Sequence, residues 1–356
     1  MRGTFVRLAE WENHPFNPHP EHLRKLGPWQ IIFGFLSDKV PHMELEQWQS
    51  PEFQQLDVPV ASFLAANGLN DETIRLADKF SSYGTNFWQS SLLQLCHVFS
   101  FGRKSLQLSR GRGAMSLQGG NQRLPEAMAQ AARGDVLLDR HVDAVMMDDA
   151  GVEVRCRDGS VHRGRYLVMS APFAALRLVA VEPAFHGAQA ETVAALPSHA
   201  AYHEHFSLET PFSARVGLPP SFWSDGPVER FNALNYGPGE SISSFMHYSN
   251  GDSAARFDRM TPDDAARHVL AEIERIRPAA KGALRILRSH SWQMNPFSGG
   301  AYASWAPGQF PRFARLMRQP HGRMHLCGEH TSLLARGMEG ALESGERAAI
   351  ELLERD

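Results

Sequence analysis

The sequence predicts an α/β protein built from two domains that interleave along the chain. Its pattern changes along the way: a helical block runs to about residue 110, short alternating strands run from 135 to 172, and a buried strand followed by a helix closes the chain. Residues 196–295 mix strands with one helix, which is typical of an α+β unit inserted into another domain. With 356 residues, of which 43% are hydrophobic, the chain can bury two cores.

The helical block is predicted from apolar positions that recur at spacings of three and four. This pattern covers residues 43–66, 71–82 and 88–100. After the block, Gly119 and Gly120 predict a tight turn. Pro125 then stands near the start of a further helix, where its missing N–H costs nothing.

The strands are predicted from short alternating apolar runs separated by turns, two of them rich in Asp and Gly. They fall at 136–138, 142–147, 152–156 and 166–169 in the first strand-rich region, and at 202–208, 242–248 and 284–293 in the middle region. Thr261, followed by Pro262 and two acidic residues, marks the start of the helix in the middle region, because acidic side chains favour the first turn.

Composition argues against several classes of function. The net charge of −3 and the pI of about 6.6 arise from mixed-sign residues without a basic stripe, so we expect no nucleic acid and no anionic membrane as partner. The three cysteines, Cys96, Cys156 and Cys327, match no metal or disulfide spacing, which favours a reducing cytoplasm. No apolar run approaches the roughly eighteen residues of a membrane span.

The residues that point to chemistry are concentrated near the C-terminus. Three motifs stand there: Trp292 ahead of Ala301-Tyr302, Cys327-Gly328-Glu329-His330 after a predicted strand, and Gly337-Met338-Glu339-Gly340 at the start of the last helix. On that helix Gly340, Ser344 and Ala348 form a small-residue face that lets another backbone approach. The unpaired N–H groups at its start suit a ligand that develops negative charge.

In this order, and together with Gly119-Gly120 and Leu124, these motifs resemble the flavin-dependent amine oxidases, which include monoamine, polyamine and L-amino-acid oxidases. The resemblance implies a glutathione-reductase-type FAD-binding domain, interleaved with a substrate domain of mixed sheet and helices. It assigns 118–195 and 296–356 to the second and third FAD-binding segments. It assigns 1–117 and 196–295 to the helical and sheet parts of the substrate domain.

The family's first FAD-binding segment carries a Gly-x-Gly-x-x-Gly turn, and no such turn opens a helix in the N-terminal region. Gly111-Arg112-Gly113 begins in the same way, but Ser116 stands where the third glycine belongs. We therefore expect an FAD-binding domain that is incomplete at its N-terminus, with a partner chain as one source of the missing Rossmann segment. Loss of that segment would expose strand edges and apolar surface.

The resemblance implies FAD as the cofactor and indicates which residues contact it. The implied cofactor-binding residues are Gly119, Gly120, Val142, Gly328, Glu329, Gly337, Met338 and Glu339. Relatives place backbone atoms near Val142 against adenine, and the Met338 N–H would point at the isoalloxazine. The acidic side chain of Glu339 would complement the helix dipole. Covalent members of the family have cysteine where Ala301 stands, so we expect non-covalent FAD.

On the substrate side, the resemblance implies that Tyr302 and Trp292 lie beside the flavin. Trp292 would place an indole next to the flavin ring, and Tyr302 would form one wall of an aromatic cage that orients the amine. The opposite wall is normally aromatic, but Gly337 stands there in this chain. Another side chain, such as Trp305, would then form the second wall of the cage.

The family's active-site lysine, which positions a water near flavin N5, falls at His203 to within a residue or two. We expect His203 to take that role. Two other interpretations stay open: His203 and His205, which share one face of a strand, form a metal pair, or both are structural. No third ligand is evident in the sequence, so we predict no metal.

The resemblance implies FAD-dependent oxidation of an amine or amino acid. Hydride would pass from the amine carbon to flavin N5, O2 would reoxidise the flavin to give H2O2, and the imine would hydrolyse to a carbonyl. The alternatives are a non-catalytic remnant or scaffold subunit of the same fold, or one subunit of a split oxidase. An arginine that pairs a carboxylate would favour an amino acid, with Arg215, Arg230 and Arg336 as candidates.

Overall fold

The computed structural model describes residues 1–40, 42–81, 83–110, 117–212, 217–236, 239 and 241–355. Within them the chain combines helices with a four-stranded, a five-stranded and a two-stranded sheet. This confirms the predicted α/β class. The predicted division into domain segments stays a prediction.

The N-terminal region is helical, as predicted. Its α-helices are α1 (Leu8–Trp11), α2 (Ile31–Lys39), α3 (Val60–Ala66), α4 (Asp71–Lys79) and α5 (Leu92–Leu108), with 3-10 turns at Glu21–Leu23, Pro28–Gln30, Gln47–Gln49 and Pro51–Leu56. The helix predicted over 43–66 is broken into two 3-10 turns and α3. Pro51 and Pro59 explain the breaks, because proline cannot donate a helical hydrogen bond.

The next region forms a four-stranded sheet. Its elements are α6 (Arg123–Ala131), β1 (Val142–Met147), β2 (Val152–Cys156), β3 (Val161–Gly164), β4 (Leu167–Met169), α7 (Phe173–Leu176), β5 (Ala180–Glu182) and α8 (Gly187–Ala195). The sheet order is β3-β2-β1-β5, in which the edge strand β5 pairs in parallel with β1.

The prediction of a strand at 136–138 is wrong. These residues pair with no described strand, and their three side chains are largely exposed.

The middle of the chain forms the five-stranded sheet. Its strands are β6 (Ala201–Leu208), β7 (Phe222–Trp223), β8 (Arg230–Leu234), β9 (Ser244–Asn250) and β10 (Leu284–Ser291), in the order β10-β6-β9-β8-β7. Helices α9 (Gly251–Phe257) and α10 (Pro262–Ile276) and a 3-10 turn at Pro278–Ala280 accompany it. The side chain of Thr261 caps α10, as the sequence predicted, by accepting from the Asp264 N–H at 3.2 Å.

The two faces of this sheet differ because successive side chains point to opposite sides. One face packs against α10: Phe206, Phe231 and Phe245 form a buried cluster with Val269 and Ile273 of this helix. The opposite face carries the polar and aromatic row that is described with the site below.

The C-terminal region pairs with the strand-rich region that precedes the five-stranded sheet. Its elements are α11 (Phe310–Phe313), a 3-10 turn at Leu316–Arg318, β11 (Met324–Leu326), a 3-10 turn at Glu329–Thr331 and α12 (Gly337–Leu353). Strand β11 pairs in parallel with β4 and has three buried side chains.

Among the described helices, none combines the length and the apolar character needed to cross a bilayer.

Helix α12 packs through the small face that the sequence predicted, since Gly340, Ser344 and Ala348 are all buried. The Ser344 hydroxyl accepts from the Gly328 N–H at 2.8 Å, which ties the helix to the turn after β11. A Cβ on Gly340 would lie 3.0 Å from the Ala335 carbonyl oxygen. Glycine at 340 therefore permits a close approach of two backbone segments.

The other side of α12 is exposed and carries large apolar side chains. Met338, Leu342, Ile350 and Leu353 of this helix remain open to solvent. We call these four residues the exposed α12 face. Apolar surface of this kind is typical of a region that another segment or subunit covers.

Two glycines of α12 are expected to respond to alanine in opposite ways. Alanine favours helix by about 0.5–1 kcal/mol, and a Cβ on Gly345 meets nothing within 4 Å, so Gly345→Ala should raise the free energy of unfolding by that amount. Gly340→Ala should lower it by about 1–3 kcal/mol, because the new Cβ overpacks the contact with Ala335. Urea denaturation measures both; equal stabilisation by the two variants would contradict the close approach at Gly340.

Candidate functional site

A short backbone pairing brings the start of the five-stranded sheet against the segment that contains Tyr302. The His199 N–H donates to the Tyr302 carbonyl at 2.7 Å, and the Ala301 N–H donates to the His199 carbonyl at 2.8 Å. A Cβ on Gly300 would lie 2.4 Å from the Ser198 Cβ, so this approach requires glycine at 300. We call this contact the 199–302 pairing.

The side chains of this pairing stack on each other. The rings of His199 and Tyr302 lie 4.6 Å apart between centroids at an interplanar angle of 13°. Tyr248 hydrogen-bonds to Tyr302 through its side chain, and Tyr83 lies near both. Burial raises the pKa of Tyr302 well above its usual value, so its hydroxyl stays protonated.

A row of rings and one cation crosses the polar face of the five-stranded sheet and meets Tyr302 through Tyr248. Cross-strand neighbours share a face, and the register aligns Trp223 with Arg230, Arg230 with Tyr248, Tyr248 with His203, and His203 with His290. The ring centroids of His203 and Tyr248 are 4.8 Å apart. We call these five residues the cross-strand row.

The histidines near Tyr302 are neutral at physiological pH. Burial lowers the pKa of His199 to about 4, partly offset by contacts with Asn250 and Gly84. Burial also lowers the pKa of His203 to about 4, and the neighbouring His205 and His290 act in the same direction. Among the described residues, Nε2 of His203 and Nε2 of His290 are buried without a hydrogen-bond partner. Such groups are costly to leave unpaired unless a ligand or water completes them.

Arg230 is the charged member of the row. Its side chain is largely enclosed, with the residue 9% exposed, and its guanidinium lies 4.6 Å from the ring of Trp223 and 4.7 Å from the ring of Tyr248. One nitrogen donates to the Ser81 carbonyl at 2.7 Å, whereas Nε has no partner among the described residues. Desolvation lowers the pKa of Arg230, as expected for a buried cation.

A cavity of about 120 Å³ opens beside Tyr302. Ala301, Tyr302, Gly328, Glu329 and His330 are among the residues that line it. The Ala303 N–H donates to Glu329 Oε2 at 3.1 Å. Oε1 of Glu329 forms an ion pair with Arg336 at 3.5 Å but accepts no hydrogen bond from the described residues. This buried carboxylate oxygen is free to accept from a hydroxyl of a ligand.

The start of α12 follows this cavity along the chain. Met338 is 51% exposed and Glu339 lies in the first turn, where an acidic side chain complements the helix dipole. Nothing lies within 4 Å of the position that a Cβ on Gly337 would take. Space is therefore open where the sequence analysis placed the missing cage wall.

The remaining predicted residues lie in other elements. Trp292 follows β10, and its ring lies 4.6 Å from His290 and 6.2 Å from His203, next to the cross-strand row. Val142 opens β1 opposite Cys156. Gly119 and Gly120 form an exposed turn ahead of α6. Their roles in binding a cofactor stay predictions.

A comparison of the sequence with protein families supplies the identification. The profile described as flavin containing amine oxidoreductase matches residues 36–353. The chain belongs to this family. Membership of this family confirms the resemblance found in the sequence and implies a flavin cofactor.

Similar proteins carry related names. An L-amino acid dehydrogenase of Synechocystis is 22% identical over 272 residues, covering 74% of this chain and 56% of that protein. A flavin-containing amine oxidase of Danio rerio is 22% identical over 244 residues, covering 66% of this chain and 46% of that protein. The chain thus spans about half the length of the curated relatives it matches.

Solved structures of this family share the fold. Cyclohexylamine oxidase from Brevibacterium oxydans aligns with a TM-score of 0.72 at 20% identity, covering 91% of this chain and 74% of that chain. A putrescine oxidase bound to putrescine aligns with a TM-score of 0.71 at 18% identity, with the same two coverages.

One expectation about the site of this amine oxidase family member needs revision. Trp305 cannot serve as the second cage wall, because it is buried in the core with its ring against Phe310. The ring beside Tyr302 is His199, which sequence reasoning missed. Arg215 and the Gly111–Ser116 segment lie outside the described residues. Among the described residues, no group of three His, Cys, Asp or Glu side chains is placed to hold a metal ion.

Tyr248 was missed as well. The sequence held part of the evidence for Tyr248. An alternating strand was predicted through 242–248, and a tyrosine on a polar sheet face suits a ligand site. The register that sets Tyr248 between Arg230 and His203 could not be read from spacing, because three separate strands determine it.

The buried neutral imidazole of His199 predicts a pH dependence of stability. An unfolded histidine titrates near 6.5 and the folded one at about 4, so the unfolded state binds more protons as the pH falls between these values. The free energy of unfolding should therefore decrease from pH 6.5 towards pH 4. In His199→Gln this decrease should be shallower, by up to about 1.4 kcal/mol per pH unit.

Urea denaturation at several pH values measures these slopes, with His162→Gln, on an exposed strand, as the matched control. If His199→Gln and wild-type protein showed parallel pH profiles, His199 would not be the buried neutral group described above.

Proposed function

We propose that this protein takes part in FAD-dependent oxidation of an amine, with Tyr302 at the reacting centre. The observation that carries the proposal is a set of buried polar atoms that have no hydrogen-bond partner among the described residues. They are Nε2 of His203 and His290 and Nε of Arg230 in the cross-strand row, and Oε1 of Glu329 in the cavity beside Tyr302. Buried polar atoms are usually hydrogen-bonded, so these atoms favour a ligand that completes them.

The residues of the 120 Å³ cavity and of the start of α12 would contact separate parts of a flavin. Oε1 of Glu329, which accepts no hydrogen bond from the described residues, can accept from a ribityl hydroxyl, and the N–H groups at the start of α12 can donate to an electron-rich edge of the ring system. Bound non-covalently there, FAD supplies the two-electron acceptor that amine oxidation needs. With Ala301 in the cavity wall, that position offers no thiol for a covalent bond.

Tyr302 and its neighbours would hold the amine. His199 covers one face of the Tyr302 ring, so the amine would meet the other face or the space left by Gly337. The neutral histidines of this region do not repel a cation, and low polarity lowers the pKa of an ammonium towards its neutral form. Only the neutral amine can be oxidised by loss of hydride.

Arg230 favours an amino acid over a simple amine. A buried guanidinium without an ion pair among the described residues is costly, and a substrate carboxylate would neutralise it. Arg336 is less suited, because it already pairs with Glu329 and donates to the Ala303 carbonyl at 3.1 Å. The carboxylate would then lie on the cross-strand row and the amino group beside Tyr302.

His203 would hold the water that hydrolyses the imine product. Its neutral imidazole lies between Tyr248 and Trp292, and its Nε2 has no hydrogen-bond partner among the described residues. A neutral imidazole can accept a proton from water, which a lysine ammonium in the same place could not do.

A covering segment is part of the proposal. The exposed α12 face lies on the helix whose start would contact the flavin, and exposed apolar side chains of this kind favour a covering partner. We propose that a Rossmann-type segment, supplied by a partner chain or by further sequence, covers this face and completes the FAD site.

We further propose a cytoplasmic location, in keeping with three free, buried cysteines.

The first experiment measures flavin and peroxide together. The protein isolated in its native assembly should show the visible absorbance of stoichiometric flavin and release H2O2 with amines or amino acids. Glu329→Ala should lower the affinity for flavin, whereas Glu52→Ala, on the exposed surface of the N-terminal region, should not. A colourless native assembly that gains no flavin on addition of FAD would support the alternative, a non-catalytic scaffold.

The second experiment separates amino acids from amines. Arg230→Gln should lower kcat/KM for an amino acid on the order of 100-fold, because the substrate carboxylate loses its buried partner, and should change kcat/KM for the matching decarboxylated amine far less. Arg256→Gln, on the surface, serves as the control. Equal losses for both substrates would remove the carboxylate contact from the proposal.

A further inference from the structure

The loop that precedes α12 is held by a side chain of the helix itself. Long side chains on a helix lean towards its N-terminus, so Glu343, in the second turn of α12, reaches back past the helix start. Its carboxylate accepts from the Ser332 hydroxyl at 2.5 Å and from the Ala335 N–H at 2.8 Å. We call residues 332–335 the pre-helix loop.

Two further N–H groups of this loop donate to the same carboxylate. The Leu334 N–H lies 3.3 Å from Oε2 of Glu343, and the Leu333 N–H lies 3.4 Å from Oε1. With Ala335, three successive backbone N–H groups surround one anionic group, which is the arrangement of an anion-binding nest. Here the anion belongs to the chain, so the shape of the pre-helix loop depends on the charge of Glu343.

A buried histidine of α5 contacts the backbone of the same loop. His97 is 2% exposed, and burial lowers its pKa to about 3, while hydrogen bonds with the backbone of Leu333 and Leu334 act in the opposite direction. Bonds that favour the protonated imidazole are those in which the ring donates to carbonyl groups. The pre-helix loop is therefore held from two helices, through its N–H groups by Glu343 and through its carbonyl groups by His97.

The pre-helix loop leads directly into the candidate site through Arg336. This residue is the N-cap of α12, and its side chain pairs with Oε1 of Glu329 at 3.5 Å and donates to the Ala303 carbonyl at 3.1 Å. Ala303 and Glu329 both line the 120 Å³ cavity beside Tyr302. A shift of the pre-helix loop would therefore move Arg336 relative to the cavity, together with the first N–H groups of α12.

We propose that Glu343 is a positioning residue for the flavin site: its carboxylate holds the pre-helix loop, and thereby fixes Arg336 and the start of α12. This inference rests on the proposed function, because it assigns Glu343 to the binding of that flavin. Glu343 is not among the residues that line the 120 Å³ cavity. It acts through Arg336 and the helix start, without contact with the cofactor.

Hydrogen exchange in the full chain tests the hold on the loop without flavin. Glu343→Gln keeps the length of the side chain but removes its charge, so the N–H groups of 333–335 should exchange at least about tenfold faster. The N–H groups of 324–326 in β11 should exchange as in the wild type. The matched control Glu52→Gln, on the exposed surface of the N-terminal region, should change neither set.

A milder variant keeps the test decisive if Glu343→Gln does not fold, which circular dichroism reveals. Ser332→Ala removes one of the four hydrogen bonds to the carboxylate and leaves the charge in place. It should accelerate exchange at 333–335 in the same direction, to a smaller extent, and weaken FAD binding in proportion.

Flavin binding in the native assembly tests what the loop positions. Glu343→Gln should weaken FAD binding at least about tenfold and lower the reduction potential of the bound flavin, because a displaced helix start stabilises the negative charge of reduced flavin less. Since Glu343 acts in part through Arg336 and Glu329, the double variant Glu343→Gln/Glu329→Ala should lose less affinity than the product of the two single losses.

The outcomes separate this inference from the proposed function. A wild-type native assembly that binds no FAD would overturn both. If the wild type binds FAD, three results would each overturn only the role of Glu343: exchange at 333–335 that is unchanged in the folded variants, faster exchange with wild-type FAD affinity and potential, or fully multiplicative losses in the double variant.

Discussion

The 199–302 pairing is the contact on which the candidate site depends. It joins the first residues of the five-stranded sheet to the segment between β10 and α11, and it sets the ring of Tyr302 against His199. Because the Gly300 backbone passes so close to Ser198, no side chain fits between the two segments. The position of Tyr302 relative to the cross-strand row is therefore fixed by main-chain hydrogen bonds, which are less tolerant of displacement than side-chain contacts.

Burial controls the charge of the site. The imidazoles of His199 and His203 are neutral, the Tyr302 hydroxyl keeps its proton, and Arg230 remains the cation of the cross-strand row. The same low polarity that keeps these groups neutral strengthens any interaction of Arg230 with an anion. Arg230 is buried beside aromatic rings and has no ion pair among the described residues.

The exposed α12 face links packing to cofactor binding. The small side of this helix, with Gly340 and Ser344, is buried against the chain, while Met338 and Leu342 face solvent at the end that would contact a flavin. A segment that covers these side chains would also exclude water from the start of the helix. Since dipole and N–H interactions weaken in water, such cover would strengthen the binding of a flavin at this position.

The sequence by itself determined the α/β class, the family, the caps of α10 and the buried small face of α12, because these depend on local spacing and on short motifs. Only the tertiary structure decided that His199, and not Trp305, stands beside Tyr302, and that Tyr248 lies between Arg230 and His203. Strand register and the approach of segments far apart in the chain set those contacts, and periodicity carries no information about either. The isolated apolar run at 136–138 shows the same limit, since a strand forms only where a neighbouring strand can pair with it.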